Sequence, residues 1–142
     1  MTSPVPNLPE PVNALVGQIV QNQHPPALWE VMHALDALRV EHDQATKRAE
    51  ALRQELPGLK REYRRVNSMA FLSQQTGTQK ERDHRATMAS LEQQFAVETC
   101  EQTIKAACEY LDTVEKQASL LQSIGAAIRE EMRALSGFGA GT

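Results

Sequence analysis

Along the middle of the chain, one line of positions advances in alternating steps of three and four. Leu28, Val31, Leu35, Leu38, His42, Ala45, Ala49, Leu52, Leu56, Leu59, Tyr63, Val66 and Ala70 occupy it, apolar or small except at His42. This spacing is the seam of a helix that faces another helix, and it predicts a helix over about 27–75. Pro57-Gly58 sets the two poorest helix formers inside it, at roughly 3 and 1 kcal/mol relative to alanine. Leu56 and Leu59 keep phase across the pair, which favours a kink at 57–58 over a chain reversal. Thr76-Gly77-Thr78 then reads as a turn, and Thr78 with Glu81 three residues on forms a capping box that opens a helix over 79–135. Its seam is Val97, Cys100, Ile104, Ala107, Leu111, Val114, Ala118, Leu121, Gly125, Ile128, Met132 and Leu135. Upstream, Met88, Leu91 and Phe95 have the same spacing but a different phase. The pattern predicts a slip near 95–97, from a stutter or a change of partner.

A shorter helix is predicted over 12–23, where Val12, Leu15, Val16, Ile19 and Val20 share one face before His24-Pro25-Pro26 ends it. A helix of that length is marginal alone and must pack on something. Pro4, Pro6, Pro9 and Pro11 make residues 1–11 a flexible, proline-rich arm, and the glycine-rich residues 136–142 a flexible tail. The expected fold is all-α: a single helical domain over 12–135, built as a long antiparallel helical hairpin with coiled-coil seams plus the short helix. A hairpin alone leaves much of two long stripes uncovered, so a homo-oligomer is expected. Its contacts are assigned to Leu111, Val114, Leu121, Gly125, Ile128 and Met132. The alternative is an intramolecular three-helix packing that uses residues 12–23.

Composition agrees with helices, since only 4% of the 142 residues are aromatic and straight-chain residues dominate. Cys100 and Cys108 lie about 12 Å apart along one helix, too far for a disulfide, which suits a reducing cytoplasm. No apolar run approaches the roughly 18 residues of a membrane span, and the N-terminus lacks the pattern of a signal peptide. No membrane association is expected.

The net charge of −3 hides an uneven distribution. Residues 1–59 hold four basic and seven acidic groups, and residues 86–142 hold four and eight. Between them, residues 60–85 carry Lys60, Arg61, Arg64, Arg65, Lys80, Arg82 and Arg85 against Glu62, Glu81 and Asp83, a net of +4. Tyr63, Met69 and Phe71 are interleaved with these charges. Cations that neutralise phosphates, beside an aromatic ring on which a base can stack, are how proteins hold single strands without reading sequence. Single-stranded DNA is therefore the expected ligand, with Lys60, Arg61, Arg64, Arg65, Lys80, Arg82 and Arg85 on the backbone and Phe71 as the stacking residue. A run of cations also serves simply as a solvated helix face, and Tyr63 already has a seam position. Catalytic chemistry is poorly represented. His24, His33, His42 and His84 are scattered without metal-ligand spacing. There is no glycine-rich phosphate loop and no nucleophile set among acids and bases. No enzyme activity, metal or cofactor is expected.

The order of Leu59-Lys60-Arg61-Glu62-Tyr63, a glycine turn, and a long helix ending Gln122-Ser123-Ile124-Gly125-Ala126-Ala127-Ile128-Arg129-Glu130-Glu131-Met132-Arg133-Ala134 resembles the UvsY recombination mediators of tailed phages. The resemblance covers roughly residues 40–135. It implies a small oligomeric protein in the host cytoplasm that binds single-stranded DNA, helps displace the single-strand-binding protein and loads a RecA-like recombinase. The family's DNA-contacting basic residues correspond to Lys60 and Arg61, with Arg64 and Arg65 adjacent, and the C-terminal helix to its assembly element. The chain departs from the pattern at Pro57-Gly58, in its proline-rich start with the extra helix, and in lacking aromatics near Ala106-Ala107. A structural coiled-coil protein, such as a phage assembly factor or adaptor, is the competing reading.

Overall fold

The computed structural model describes residues 8–21 and 25–140, with side chains as far as Gly137. Four α-helices occur in chain order: α1 (Glu10–Val20), α2 (Leu28–Leu72), α3 (Gln79–Ala89) and α4 (Leu91–Ala140). No strand occurs among the described residues, so the all-α class holds and the helices pack on one another.

Packing divides the described residues into two compact units. Unit 1 draws on Met1–Thr46 and Tyr110–Thr142, and unit 2 is Lys47–Glu109. In unit 1, Leu8, Val12 and Leu15 join Val31, Ala34 and Leu38 of α2 and Val114 and Leu121 of α4 in one core. This is the intramolecular alternative for the short helix. Val16 packs against that core, whereas Ile19 and Val20 of the same stripe are exposed. Residues 8–11 of the proline-rich stretch, expected as part of a flexible arm, are packed instead. Leu8 is buried, its carbonyl accepts from Asn13 Nδ2 at 3.1 Å, and Pro9 caps a helix in which Pro11 sits in the first turn. There a missing N–H costs nothing. Residues 1–7 and 22–24, part of the expected arm and of the expected 12–23 helix, lie outside the described residues.

α2 runs unbroken through Pro57, an exposed position, so the chain does not reverse there. Every member of its predicted seam is buried or half-buried. The helix expected over 79–135 is instead two, parted at Ser90, and α4 continues to Ala140 through the expected tail. Glycines only weaken a helix, by about 1 kcal/mol each, and no proline follows to end it.

Ser90 also explains the apparent slip at 95–97. The buried or half-buried positions run Ala86, Ser90, Gln93, Val97, Cys100, Ile104 and onward in unbroken steps of four and three. The phase never slips. Small and polar residues hold the seam upstream of Val97, while Met88, Leu91 and Phe95 face away from it. At the junction, Ser90 is fully buried, its hydroxyl donates to Ala86 O at 2.9 Å, and it accepts from Asn67 Nδ2 at 3.1 Å. A serine bonded back to the carbonyl four residues earlier bends or interrupts a helix.

Contacts between α2 and α4 are ordered within each unit. In unit 1, Met32 meets Arg129, while Glu41 accepts from Tyr110 Oη at 2.9 Å and His42 lies 3.3 Å from Glu115. In unit 2, Leu52 O accepts from Cys100 Sγ, Arg53 donates to Cys108 Sγ, and Lys60 pairs with Glu101 at 3.5 Å. The largest fully buried side chains, Leu38, Leu121, Val12, Val31 and Val114, all belong to unit 1, and only the small Ser90 comes from unit 2. Unit 2 thus has no large side chain among the most deeply buried described residues.

Candidate nucleic-acid interface

All eight residues assigned to DNA binding fall in unit 2, on the last part of α2 and on α3. A fixed turn brings Arg82 to Phe71 and Arg85 to Thr76, whereas Lys60 lies farther along α2, against Glu101. Gly77 takes a positive φ of 108°, which a side chain would resist. Thr78 Oγ1 then accepts from Glu81 N at 3.3 Å while Glu81 Oε2 accepts from Thr78 N at 3.1 Å. The capping box is present as the sequence indicates.

The cations separate into three groups by what they touch. Arg82 and Arg85 hold the turn. Arg85 Nη1 donates to Thr76 O at 3.2 Å, and Arg82 lies over the Phe71 ring, 4.6 Å from its centre, with Nη2 at 3.5 Å from Phe71 O. Gln74 Nε2 closes the same loop by donating to Ala70 O and Arg82 O. Arg82 thus faces a carbonyl at the C-terminal end of α2, where the helix dipole is negative, and Arg85 a carbonyl of the turn beyond it. Phe71 is half-buried with Arg82 against one face, so that face is taken by a guanidinium.

Arg65 and Lys60 are paired. Glu62 receives both Nε and Nη2 of Arg65, at 3.0 and 2.6 Å, and Arg65 Nη1 reaches Met69 Sδ at 3.1 Å. The two hydrogen bonds hold the Glu62 carboxyl below its ordinary range and the Arg65 guanidinium above its own. Lys60 pairs with Glu101.

Arg61, Arg64 and Lys80 are exposed and make no hydrogen bond or ion pair with any described residue. Arg61 and Arg64, three residues apart, are neighbours on the surface of α2. These three have their full donor sets turned to solvent.

The expected oligomerisation residues are placed differently. Val114 and Leu121 are almost wholly buried in the unit 1 core, and Ile128 packs against it. Leu111 is half-buried, and a β-carbon at the buried Gly125 would lie 3.5 Å from Val31 Cγ1. Only Met132 of this set is exposed, with Leu135 beyond it. The chain's own helices therefore cover most of the surface reserved for another copy.

Sequence periodicity singled out Met88, Leu91 and Phe95 as out of phase with the seam, and all three face outward. It missed the buried Ser90 and its half-buried partner Asn67, which carry no apolar signal. Burial pushes the Cys100 thiol up, helped by Glu55 and Glu101, so the group stays a protonated donor. Among the described residues no cluster of three or more His, Cys, Asp or Glu can hold a metal, and no helix is long and apolar enough to cross a membrane. No protein-family model, curated protein or solved structure matches the chain.

Proposed function

We propose that this protein binds single-stranded DNA as a recombination mediator, holding the phosphate backbone on the free cations of unit 2. The observation that carries the reading is Arg61, Arg64 and Lys80, solvent-facing and unpaired within the described chain, in the segment that holds the net positive charge. Phosphate contact needs such donors and little else. Helping to displace a single-strand-binding protein and loading a RecA-like recombinase in a host cytoplasm follow from the resemblance to UvsY mediators. One copy offers few phosphate contacts, so useful affinity comes from several copies on one strand, where effective concentration can add about 10²–10⁴.

Anisotropy of labelled oligonucleotides tests this. Single strands should bind more tightly than duplex, long ones more tightly than short ones, and affinity should fall steeply with salt. A variant with Arg61, Arg64 and Lys80 all changed to alanine should lose most of it. Unchanged binding by that variant, or no binding at low salt by the original chain, turns the assignment to a structural or adaptor protein. The exposed Met88, Leu91 and Phe95 favour that second reading.

A further inference from the structure

Arg65 has every nitrogen of its guanidinium engaged, each at the edge of the group. Nε and Nη2 donate to Glu62 at 3.0 and 2.6 Å, and Nη1 donates to Met69 Sδ at 3.1 Å. Guanidinium donors lie in the plane of the group, so these bonds fix the plane and leave its faces without a hydrogen-bonding role. The side chain is nonetheless 56% exposed. An exposed pair three residues apart adds little stability, so the consequence of the Glu62 fork lies in what it holds still. Met69 and Leu72 are 59% and 75% exposed. Arg65, Met69 and Leu72, at steps of four and three, are successive neighbours on one face of α2. Arg61 and Arg64 continue that surface in the other direction, with donors that meet no described residue. Over about 16 Å of helix the surface thus passes from two free cations, through a flat cation whose edge is already balanced, to two apolar side chains.

We propose that the Arg65 guanidinium, fixed by Glu62 and Met69, is a platform on which a base of single-stranded DNA stacks, with Met69 and Leu72 extending the apolar contact. The inference rests on the reading that Arg61 and Arg64 hold phosphates. A guanidinium is flat and less strongly hydrated than an ammonium, and a base stacks on its plane as on an aromatic ring. The methionine sulfur beside it adds a polarizable contact to the same base. Phe71, the ring expected in this role, is half-buried with Arg82 over one face. Arg65 therefore supplies on open surface the flat group that Phe71 offers only in part. The labour divides by chemistry. Arg61 and Arg64 exchange counterions for phosphates, and Arg65, its charge balanced by Glu62, takes the base. Discrimination follows from the same division. Cations meet phosphates on a single strand or a duplex alike, whereas a duplex keeps its base faces stacked inside. Freed from Glu62, Arg65 becomes one more phosphate contact and this selectivity is lost.

Anisotropy of the full chain with three labelled DNAs of equal length tests it: a single strand, a strand of the same backbone made of abasic sites, and a duplex. The original chain should bind the base-bearing strand about fivefold or more tightly than the abasic one. Arg65→Lys keeps the charge and loses the plane, and should remove most of that advantage. Met69→Ala, which removes the sulfur, should remove part of it. In both variants the affinity for abasic strand and duplex, and the dependence on salt, should stay at the original values, because no phosphate contact is lost. Both positions are exposed, so helical circular dichroism should stay unchanged. Arg61→Ala with Arg64→Ala should weaken binding to all three DNAs, which reports the phosphate contacts separately. Equal affinity of the original chain for base-bearing and abasic strands overturns the platform and leaves phosphate binding intact. So does Arg65→Lys that binds the base-bearing strand at the original strength. Absence of binding to all three DNAs overturns the phosphate reading, and the platform with it.

Discussion

Ser90 contributes no apolar surface, yet it is the most buried polar residue described and decides where one expected helix becomes two. Its hydroxyl has a donor role toward Ala86 O and an acceptor role toward Asn67. In Ser90→Ala the Asn67 amide loses that partner, and an unsatisfied buried donor costs about 1–3 kcal/mol. Asn67 is half-buried, which places the expected loss in urea unfolding near the lower end. Adding Asn67→Ala should recover part of it, since both polar groups are then gone. Glu62 has the opposite significance, because it is exposed and occupies the Arg65 fork at neutral pH. Its carboxyl sits below the ordinary glutamate range, so the pairing contribution is present above the unfolded value and fades as pH falls through the lower folded one. Glu62→Gln should free Arg65 without acidification and strengthen single-strand binding at low salt by several-fold, with a steeper salt dependence. Anisotropy titrations at two or more salt concentrations measure both changes.

At the scale of elements, periodicity found what large apolar side chains write into a sequence. The α2 seam from Leu28 to Ala70 and the α4 seam from Val97 to Ile128 are buried or half-buried as the spacing requires. It misplaced the slip at 95–97 because Ala86, Ser90 and Gln93 hold the buried line while the larger Met88, Leu91 and Phe95 look outward. Hydrophobicity alone cannot distinguish a buried seam from an outward-facing stripe of equal spacing. The candidate interface was legible as net charge but not as geometry, since nothing in the spacing of Arg82 and Arg85 announces that they will turn to the carbonyls of Phe71 and Thr76. Glycines follow a similar division. A β-carbon at Gly58 would meet nothing within 4 Å, whereas at Gly77 it would meet Glu81 Oε2 at 2.9 Å on a backbone of positive φ. Gly58→Ala should therefore stabilise by roughly 0.5–1 kcal/mol through helix propensity and a less free unfolded chain. Gly77→Ala should lower the melting temperature, and paired thermal melts followed by circular dichroism read both signs.

Across the whole molecule, charge and packing are unevenly shared: the deep apolar core belongs to unit 1, and the net positive segment belongs to unit 2. The seven cations of that segment are not equivalent, because each has either a carbonyl, a carboxylate or water as its neighbour. A cation that already holds a backbone carbonyl gives up that contact when it turns to a phosphate, so Arg82 and Arg85 serve first to keep the turn closed. A cation in water exchanges only solvent and counterions, and each such contact with a single strand contributes about 0.7 to the slope of log affinity on log salt. Arg61→Ala with Arg64→Ala should therefore flatten the slope by about 1.4 per engaged copy and leave the melting temperature where it was. Arg82→Ala with Arg85→Ala should do the reverse, lowering the melting temperature through loss of the Phe71 and Thr76 contacts while changing the slope little once the chain is folded. The comparison requires melting curves and anisotropy titrations on the original chain and three variants, with the two double replacements combined as the third. Equal loss of slope from both pairs would mean that the turn cations reach phosphate as well, and that the closed turn is a resting arrangement that DNA opens.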